Sequence, residues 1–126
     1  MSIFTHVTLG TNNLEQSRKF YDETLSELGF KRIGDLPNGS IWGIDKPSFF
    51  VLSPINGEPA SVGNGSTVNF EARNRAAIDA FHALALSKGA KDEGAPGPRG
   101  WAPNAYAAYV RDLDGNKLGA YCFNAE

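Results

Sequence analysis

The chain has 126 residues, of which 41% are hydrophobic and 21% charged, and its formal net charge at pH 7 is −2. A chain of this length and composition forms one globular domain, or two small half-domains that share a core. The charge is nearly balanced and has no long runs of one sign, which argues against nucleic acid or an anionic membrane as a partner.

Three further features bear on the location of the protein. No apolar stretch approaches the roughly 20 residues that span a bilayer. The N-terminal residues lack the basic region of a signal peptide, and the single cysteine cannot form an intramolecular disulfide. We therefore expect a cytoplasmic protein with no membrane contact.

The first half of the chain is predicted to contain a strand, a helix and three more strands. Residues Ile3 to Leu9 alternate between apolar and polar side chains, which is typical of a strand with one face on a core. Asn12 and Asn13 are helix-capping residues, apolar side chains then recur at three- and four-residue steps, and Gly29 is placed to end the helix. Short strands follow at about 30–33, 41–44 and 49–53.

The second half repeats this pattern after a stretch rich in glycine and proline. His6 precedes Thr67 by 61 positions, and Phe20 precedes Phe81 by the same 61, so a strand and a helix recur in one register. Such a period indicates a duplicated unit. The repeated elements are a strand at about 67–70, a helix at about 75–88, and strands at about 105–111 and 117–123.

The chain is therefore predicted to be a single α+β domain, residues 1–126, built from two βαβββ modules. Module one covers about 1–53, a connector about 54–66, and module two about 67–126. Set side by side, the modules are expected to form one curved mixed sheet with the helices outside and a concave cleft inside.

Several short motifs, through their order and spacing, resemble the vicinal oxygen chelate superfamily of glyoxalases, bleomycin resistance proteins and extradiol dioxygenases. The resemblance is to a glyoxalase-like subgroup and covers nearly the whole chain. The motifs are His6-Val7-Thr8-Leu9, Phe20-Tyr21-Asp22, Gly63-Asn64-Gly65, Phe81-His82, the segment from Gly94 to Arg99, and the segment from Val110 to Lys117.

The resemblance implies where metal ligands stand in metal-dependent members, namely at His6, Thr67 and Gly119, with glyoxalase-type members adding one from the fourth strand. The family pattern has histidine where Thr67 stands and glutamate where Gly119 stands. A threonine hydroxyl is a poor transition-metal ligand and glycine has no side chain, so His6 remains alone. We therefore expect no cofactor. The alternative is a divalent metal (Zn, Ni, Mn or Fe) bound by His6 in altered geometry, which Glu71 could reach only if the metal were displaced.

His6 and Glu71 are also candidates for acid–base catalysis. A histidine titrates at about pH 6.5, and a carboxylate in an enclosed cavity has a raised pKa. The alternative for His6 is a wall position that hydrogen-bonds Thr67 or water. The alternative for Glu71 is a solvated carboxylate or one paired with Arg73.

Six residues are candidate ligand contacts. Arg99 and Trp101 lie in a Gly/Pro-rich loop, where side chains are often functional, and Arg99 is interpreted as an anchor for a carboxylate or phosphate or as a solvated charge. Gly119 is interpreted as leaving room for a ligand. The alternative is that glycine arose here by neutral drift after the metal was lost. His82 is expected on the surface. The remaining candidates are Thr67, Asn69 and Tyr121.

Two functions follow from the resemblance. The first is a metal-free member that binds a small organic molecule in the concave cleft. The second is an enzyme of the lyase, isomerase or dioxygenase type that uses a metal in altered geometry or His6 and Glu71 as acid and base. In either case a homodimer is expected, because dimers are the commonest assembly.

Overall fold

The computed structural model describes residues 3–126 and contains two modules with the same order of elements. Each module has a strand, a helix and three further strands, which confirms the predicted α+β fold of two βαβββ units. In module one these are β1 (Val7–Gly10), α1 (Leu14–Ser26), β2 (Lys31–Leu36), β3 (Gly39–Gly43) and β4 (Pro47–Leu52). In module two they are β5 (Val68–Glu71), α2 (Arg75–Ser87), β6 (Lys91–Pro98), β7 (Tyr106–Arg111) and β8 (Lys117–Cys122).

The strands hydrogen-bond as two four-stranded sheets, one for each module, with the orders β1-β4-β3-β2 and β5-β8-β7-β6. In both sheets the first strand of the module runs parallel to the last strand, and the other pairs are antiparallel. Mixed sheets were expected. The strands do not form one continuous sheet, however, because β1 and β5 do not pair with each other. A cavity lined by residues of both strands, including Thr8 and Val68, lies between these two edges.

The helix ends follow the predicted signals. The Asn13 side chain accepts a hydrogen bond from the backbone N–H of Gln16 at 3.1 Å, as a capping residue does. Gly29 and Gly89 follow the two helices with φ of +89° and +103°, in the left-handed region that favours glycine. Asn12 has a different role, because its side chain exchanges two hydrogen bonds with the connector residue Ala60, at 2.6 and 3.1 Å.

One hydrophobic core contains side chains from both modules. Leu25 of α1 and Ile78 of α2 are fully buried in it. The Phe49 ring of β4 meets the Phe70 ring of β5 edge-on, with 5.0 Å between centroids. Both helices pack against the sheets through this core. Within residues 3–126, neither helix is long and apolar enough to cross a membrane.

Three local expectations are corrected. Strand β1 begins at Val7 rather than Ile3, so His6 precedes the strand. The segment 94–98, to which no strand was assigned, belongs to β6, whose register shifts at Gly94 let a Gly/Pro-rich sequence pair with β7. His82 is only 8% exposed, since α2 turns it inward, where its Nε2 lies 2.9 Å from Asp92.

Candidate functional site

A cleft of about 590 Å³, here called the main cleft, lies where β1 and β5 face each other. Four of the predicted site residues come together on its lining: His6, Thr67, Asn69 and Glu71. They share the cleft because His6 and Thr67 precede equivalent strands, and because alternate residues of β5 point to the same side. The apolar part of the wall includes Phe4, Val7, Phe30 and Phe70.

The His6 ring is held by its neighbours at the mouth of the main cleft. It stacks on Phe50 with 4.3 Å between ring centroids, and its Nδ1 lies 3.0 Å from the hydroxyl of Thr5. The ring is exposed. His6 therefore keeps its Nε2 edge free of any hydrogen bond within residues 3–126.

Glu71 carries an unpaired carboxylate. It is exposed, and it makes no hydrogen bond or ion pair with any residue between 3 and 126. The predicted alternative of a pair with Arg73 is wrong, because the Arg73 guanidinium packs against Gly29 instead. Glu71 lies on the main cleft and also on a second, smaller cleft.

The second cleft has a volume of about 410 Å³ and borders a group of four rings, Trp101, Tyr109, Tyr121 and Phe123, which we call the aromatic cluster. Trp101 donates its ring N–H to the Tyr121 hydroxyl at 3.1 Å, and the Tyr109 and Tyr121 hydroxyls hydrogen-bond to each other. We call this volume the aromatic cleft. Of the cluster, Trp101, Tyr121 and Phe123 line it, and the predicted contacts Asn69, Trp101 and Tyr121 thus meet there.

Phe123 was not among the predicted contacts, and Tyr109 was predicted only as a strand aromatic that lines a binding cleft or packs in the core. The signal for Tyr109 was its position in β7, where it is paired in register with Gly119 of β8. A ring opposite a glycine folds over the space that the missing side chain leaves. Burial and the hydrogen bond with Tyr121 raise the pKa of Tyr109 from 10.0 to about 12.

Arg99 has a different position from the one predicted. Its guanidinium donates to the backbone carbonyls of Ala95, Gly97 and Pro98 at 3.0, 2.9 and 3.2 Å, and it lies over the Tyr109 ring at 5.5 Å. It lines neither cleft. Arg99 therefore connects the end of β6 with the Tyr109 ring of the aromatic cluster.

The raised pKa of Tyr109 predicts a loss of stability in alkali. The folded protein holds this proton more tightly than the unfolded chain, so the contribution is complete below pH 10 and is lost between about pH 10 and 12. The melting temperature of the wild type should fall more steeply across this interval than that of Tyr109→Phe. Parallel falls in the two proteins would contradict the assignment.

Gly119 does not leave open space. It lies between Asn69 and Tyr109, its register partners on the two neighbouring strands. A Cβ at Gly119 would overlap Oδ1 of Asn69 and lie 2.9 Å from Cε1 of Tyr109. The interpretation of this position as room for a ligand is wrong for that reason: protein side chains fill it.

The sequence matches the model of the Glyoxalase/Bleomycin resistance protein/Dioxygenase superfamily over residues 3–119. The chain belongs to this superfamily. Its fold agrees with a glyoxalase/bleomycin resistance protein from Albidiferax ferrireducens T118, which is 41% identical, with a TM-score of 0.88 over 95% of this chain and 98% of that one.

Two more distant superfamily structures share the fold at lower identity. A family enzyme from Burkholderia phytofirmans PsJN is 18% identical, with a TM-score of 0.72 over 95% of this chain and 98% of that one. A lactoylglutathione lyase from Agrobacterium tumefaciens is 18% identical, with a TM-score of 0.68 over 96% and 93%. The comparison with curated proteins found no match.

Metal-dependent members of the superfamily hold an ion, and the residues present here do not fit one. Between residues 3 and 126, no group of three or more His, Cys, Asp or Glu side chains is placed to hold an ion. Thr67 and Gly119 stand at the other two implied ligand positions, and the space beside Gly119 is filled by Asn69 and Tyr109. A transition-metal site needs three or more nitrogen, sulfur or carboxylate donors around one point.

Proposed function

We propose that this glyoxalase-superfamily protein binds a small organic molecule in the main cleft without a transition metal. The observation that carries the proposal is the character of the cleft. Its volume of about 590 Å³ lies within the range of about 300–1,000 Å³ typical of small-molecule sites. An apolar wall that includes Phe4, Phe30 and Phe70 faces a few polar groups, which is the composition such sites usually have.

The side chains around Gly119 support the metal-free part of this proposal. Asn69 and Tyr109 occupy the place from which a glutamate would reach an ion. Of these two residues, Asn69 also lines the main cleft. In such a site the ligand is held by ring contacts and by hydrogen bonds from neutral groups such as Asn69 and Thr67, together with His6.

A second candidate is an enzyme of the lyase, isomerase or dioxygenase type in which His6 and Glu71 act as base and acid. The observation that favours it is that both side chains line the main cleft and neither is held by an ion pair. General acid–base groups need such access to one substrate. An anionic intermediate would then need hydrogen-bond donors in place of a metal.

Ligand screening and metal analysis test the proposal together. Purified protein should contain no stoichiometric Zn, Ni, Mn or Fe, with or without added metal, and a screen of small organic compounds should raise its melting temperature. A ligand at about 100 times its Kd stabilises the folded state by about 2.7 kcal/mol. Substitution of Asn69 by alanine should lower the affinity for the ligands that the screen finds.

The two histidines provide a matched control. Stoichiometric metal that is lost in His6→Ala but kept in His82→Gln would refute the metal-free proposal, because only His6 lines the main cleft. If screening yields no ligand, binding in the cleft is refuted. Turnover of a bound compound that disappears in both His6→Ala and Glu71→Gln would favour the enzyme.

We also propose a cytoplasmic homodimer. Support for the dimer is that two-fold dimers are the commonest assembly of soluble proteins. The single cysteine, Cys122, is free and buried, which suits a reducing compartment.

A further inference from the structure

Glu71 and Tyr121 are side-by-side partners on the parallel strands β5 and β8. Parallel neighbours in register lie about 4.8 Å apart in the backbone and point to the same face. Their carboxylate and phenol ring therefore line the aromatic cleft together, as the composition of its wall also indicates.

Three rings form a corner in the same cleft. The Tyr121 and Phe123 rings are stacked, with 5.6 Å between centroids and 13° between planes. The Trp101 ring stands edge-on to both, at 5.8 and 5.6 Å. Trp101 remains 67% exposed and Phe123 50% exposed, so ring surface is available to a ligand.

The charges around the corner favour a cation. Aromatic faces carry a negative quadrupole potential, and Glu71 adds a full negative charge that no residue between 3 and 126 neutralises. The nearby cations Arg99 and Lys117 are placed over the Tyr109 ring, at 5.5 and 5.0 Å, and neither lines the aromatic cleft.

We infer that the aromatic cleft binds the positively charged group of an organic ligand, either a quaternary ammonium or a protonated amine. Ring faces attract such weakly hydrated cations, and a carboxylate beside the rings adds charge complementarity. The side-chain amides of Asn69 and Asn124 on the rim provide acceptors for an N–H. This inference rests on the proposed function and specifies the ligand class for the aromatic cleft, which shares Asn69, Phe70 and Glu71 with the main cleft.

The test compares a cation with a neutral molecule of the same shape. Choline and benzyltrimethylammonium are the cationic probes, and 3,3-dimethylbutan-1-ol is the carbon isostere of choline. The chain has two tryptophans. Trp42 is fully buried and donates its ring N–H to Asp22, so a change of fluorescence reports chiefly on Trp101. Calorimetry gives the affinities.

We expect both cations to bind and to perturb Trp101, with choline at least about tenfold tighter than its isostere. Glu71→Gln keeps the shape of the side chain but removes its charge, and should weaken the binding of choline by about tenfold. Trp101→Ala should weaken benzyltrimethylammonium similarly. Glu58→Gln is the control, since this exposed connector carboxylate lines neither cleft and should change nothing.

Equal affinity for choline and its isostere, an unchanged affinity in Glu71→Gln, or no binding of either cation would overturn the inference. The charge of the compounds that bind distinguishes failure of the cation subsite from failure of the proposed function. If neutral or anionic compounds from the general screen bind while cations do not, the cation subsite is wrong and cleft binding stands. If no compound of any charge binds, both are wrong.

Discussion

Asp112→Ala is expected to lower the free energy of unfolding by roughly 3–5 kcal/mol, because several buried donors lose one acceptor. The carboxylate is 6% exposed and accepts a hydrogen bond from the buried Tyr21 hydroxyl. It also accepts the Asn116 side-chain N–H at 3.0 Å and the backbone N–H groups of Asp114 and Asn116 at 2.9 and 2.8 Å. Each donor left unsatisfied costs about 1–3 kcal/mol, and water entering the site recovers part of this.

Denaturant unfolding measures this cost, and two further variants calibrate it. Tyr21→Phe removes one of the donors and should cost about 1–2 kcal/mol. Asp45→Asn changes an exposed carboxyl group without a partner in the described chain and should stay within about 0.5 kcal/mol of the wild type. If Asp112→Ala cost no more than Asp45→Asn, the network around Asp112 would contribute nothing to stability.

The effect is expected to be global because this network joins the two modules. Tyr21 lies on α1 of module one, whereas Asp112 begins the turn between β7 and β8 of module two. In the same turn, the Asp114 side chain accepts a hydrogen bond from the backbone N–H of Asn12 at 2.9 Å. Asn116 donates to the carbonyl of Gly10 at 3.1 Å. Loss of Asp112 therefore weakens the contact between modules as well as one turn.

The repeat was the part of the fold that the sequence could predict. The 61-residue offset relates Val7 to Val68, which are the first residues of β1 and β5 in the structure. Helix limits were also predictable, since capping by Asn13 and the left-handed glycines at 29 and 89 depend on neighbouring residues only. Local chemistry of this kind is readable in one sequence.

The repeat implies a strand between α2 and β7, but the position of β6 could not be predicted, because its sequence is that of a loop. Glycine and proline are unfavourable in a strand interior, yet β7 provides a partner that accommodates them through two register shifts. The close approach of the Tyr109 ring, 3.2 Å from a Cβ placed at Gly94, gives that glycine a packing role. Tertiary contact therefore decides the conformation of this segment.

The candidate site was predictable as a set of positions and not as a set of contacts. Alternation along β5 placed Thr67, Asn69 and Glu71 on one face, and the structure puts all three on the main cleft. The stacking of His6 on Phe50 depends on where one side chain turns relative to another strand. Alternation contains no information about that.

The position of Gly119 was predicted from the sequence, but its contacts with Asn69 and Tyr109 were not. The substitution Gly119→Ala tests these contacts. The substitution is expected to destabilise the protein by about 1–3 kcal/mol, as overpacking of a filled site does. The new Cβ would overlap Oδ1 of Asn69 and stand 2.9 and 3.0 Å from two atoms of the Tyr109 ring. Gly119→Glu, which restores the side chain implied by the superfamily, should cost more because it places additional atoms there.

Gly100→Ala is the matched control, since a Cβ at Gly100 meets nothing within 4 Å and its backbone, like that of Gly119, lies outside the left-handed region. It should change stability by no more than about 0.5 kcal/mol. In an Asn69→Ala background the cost of Gly119→Ala should fall by at least about 0.5 kcal/mol, because one of the two obstacles has been removed. The remaining cost belongs to Tyr109, whose hydroxyl is held by Tyr121.

A cost for Gly119→Ala equal to that of Gly100→Ala would mean that Asn69 and Tyr109 move aside freely. The space beside Gly119 would then be open to a ligand, and the loss of the glutamate would have enlarged the cleft. A cost of the expected size means that the protein has filled this ligand position with its own side chains. Restoring histidine at Thr67 and glutamate at Gly119 would then not suffice to rebuild a metal site unless Asn69 and Tyr109 were also changed.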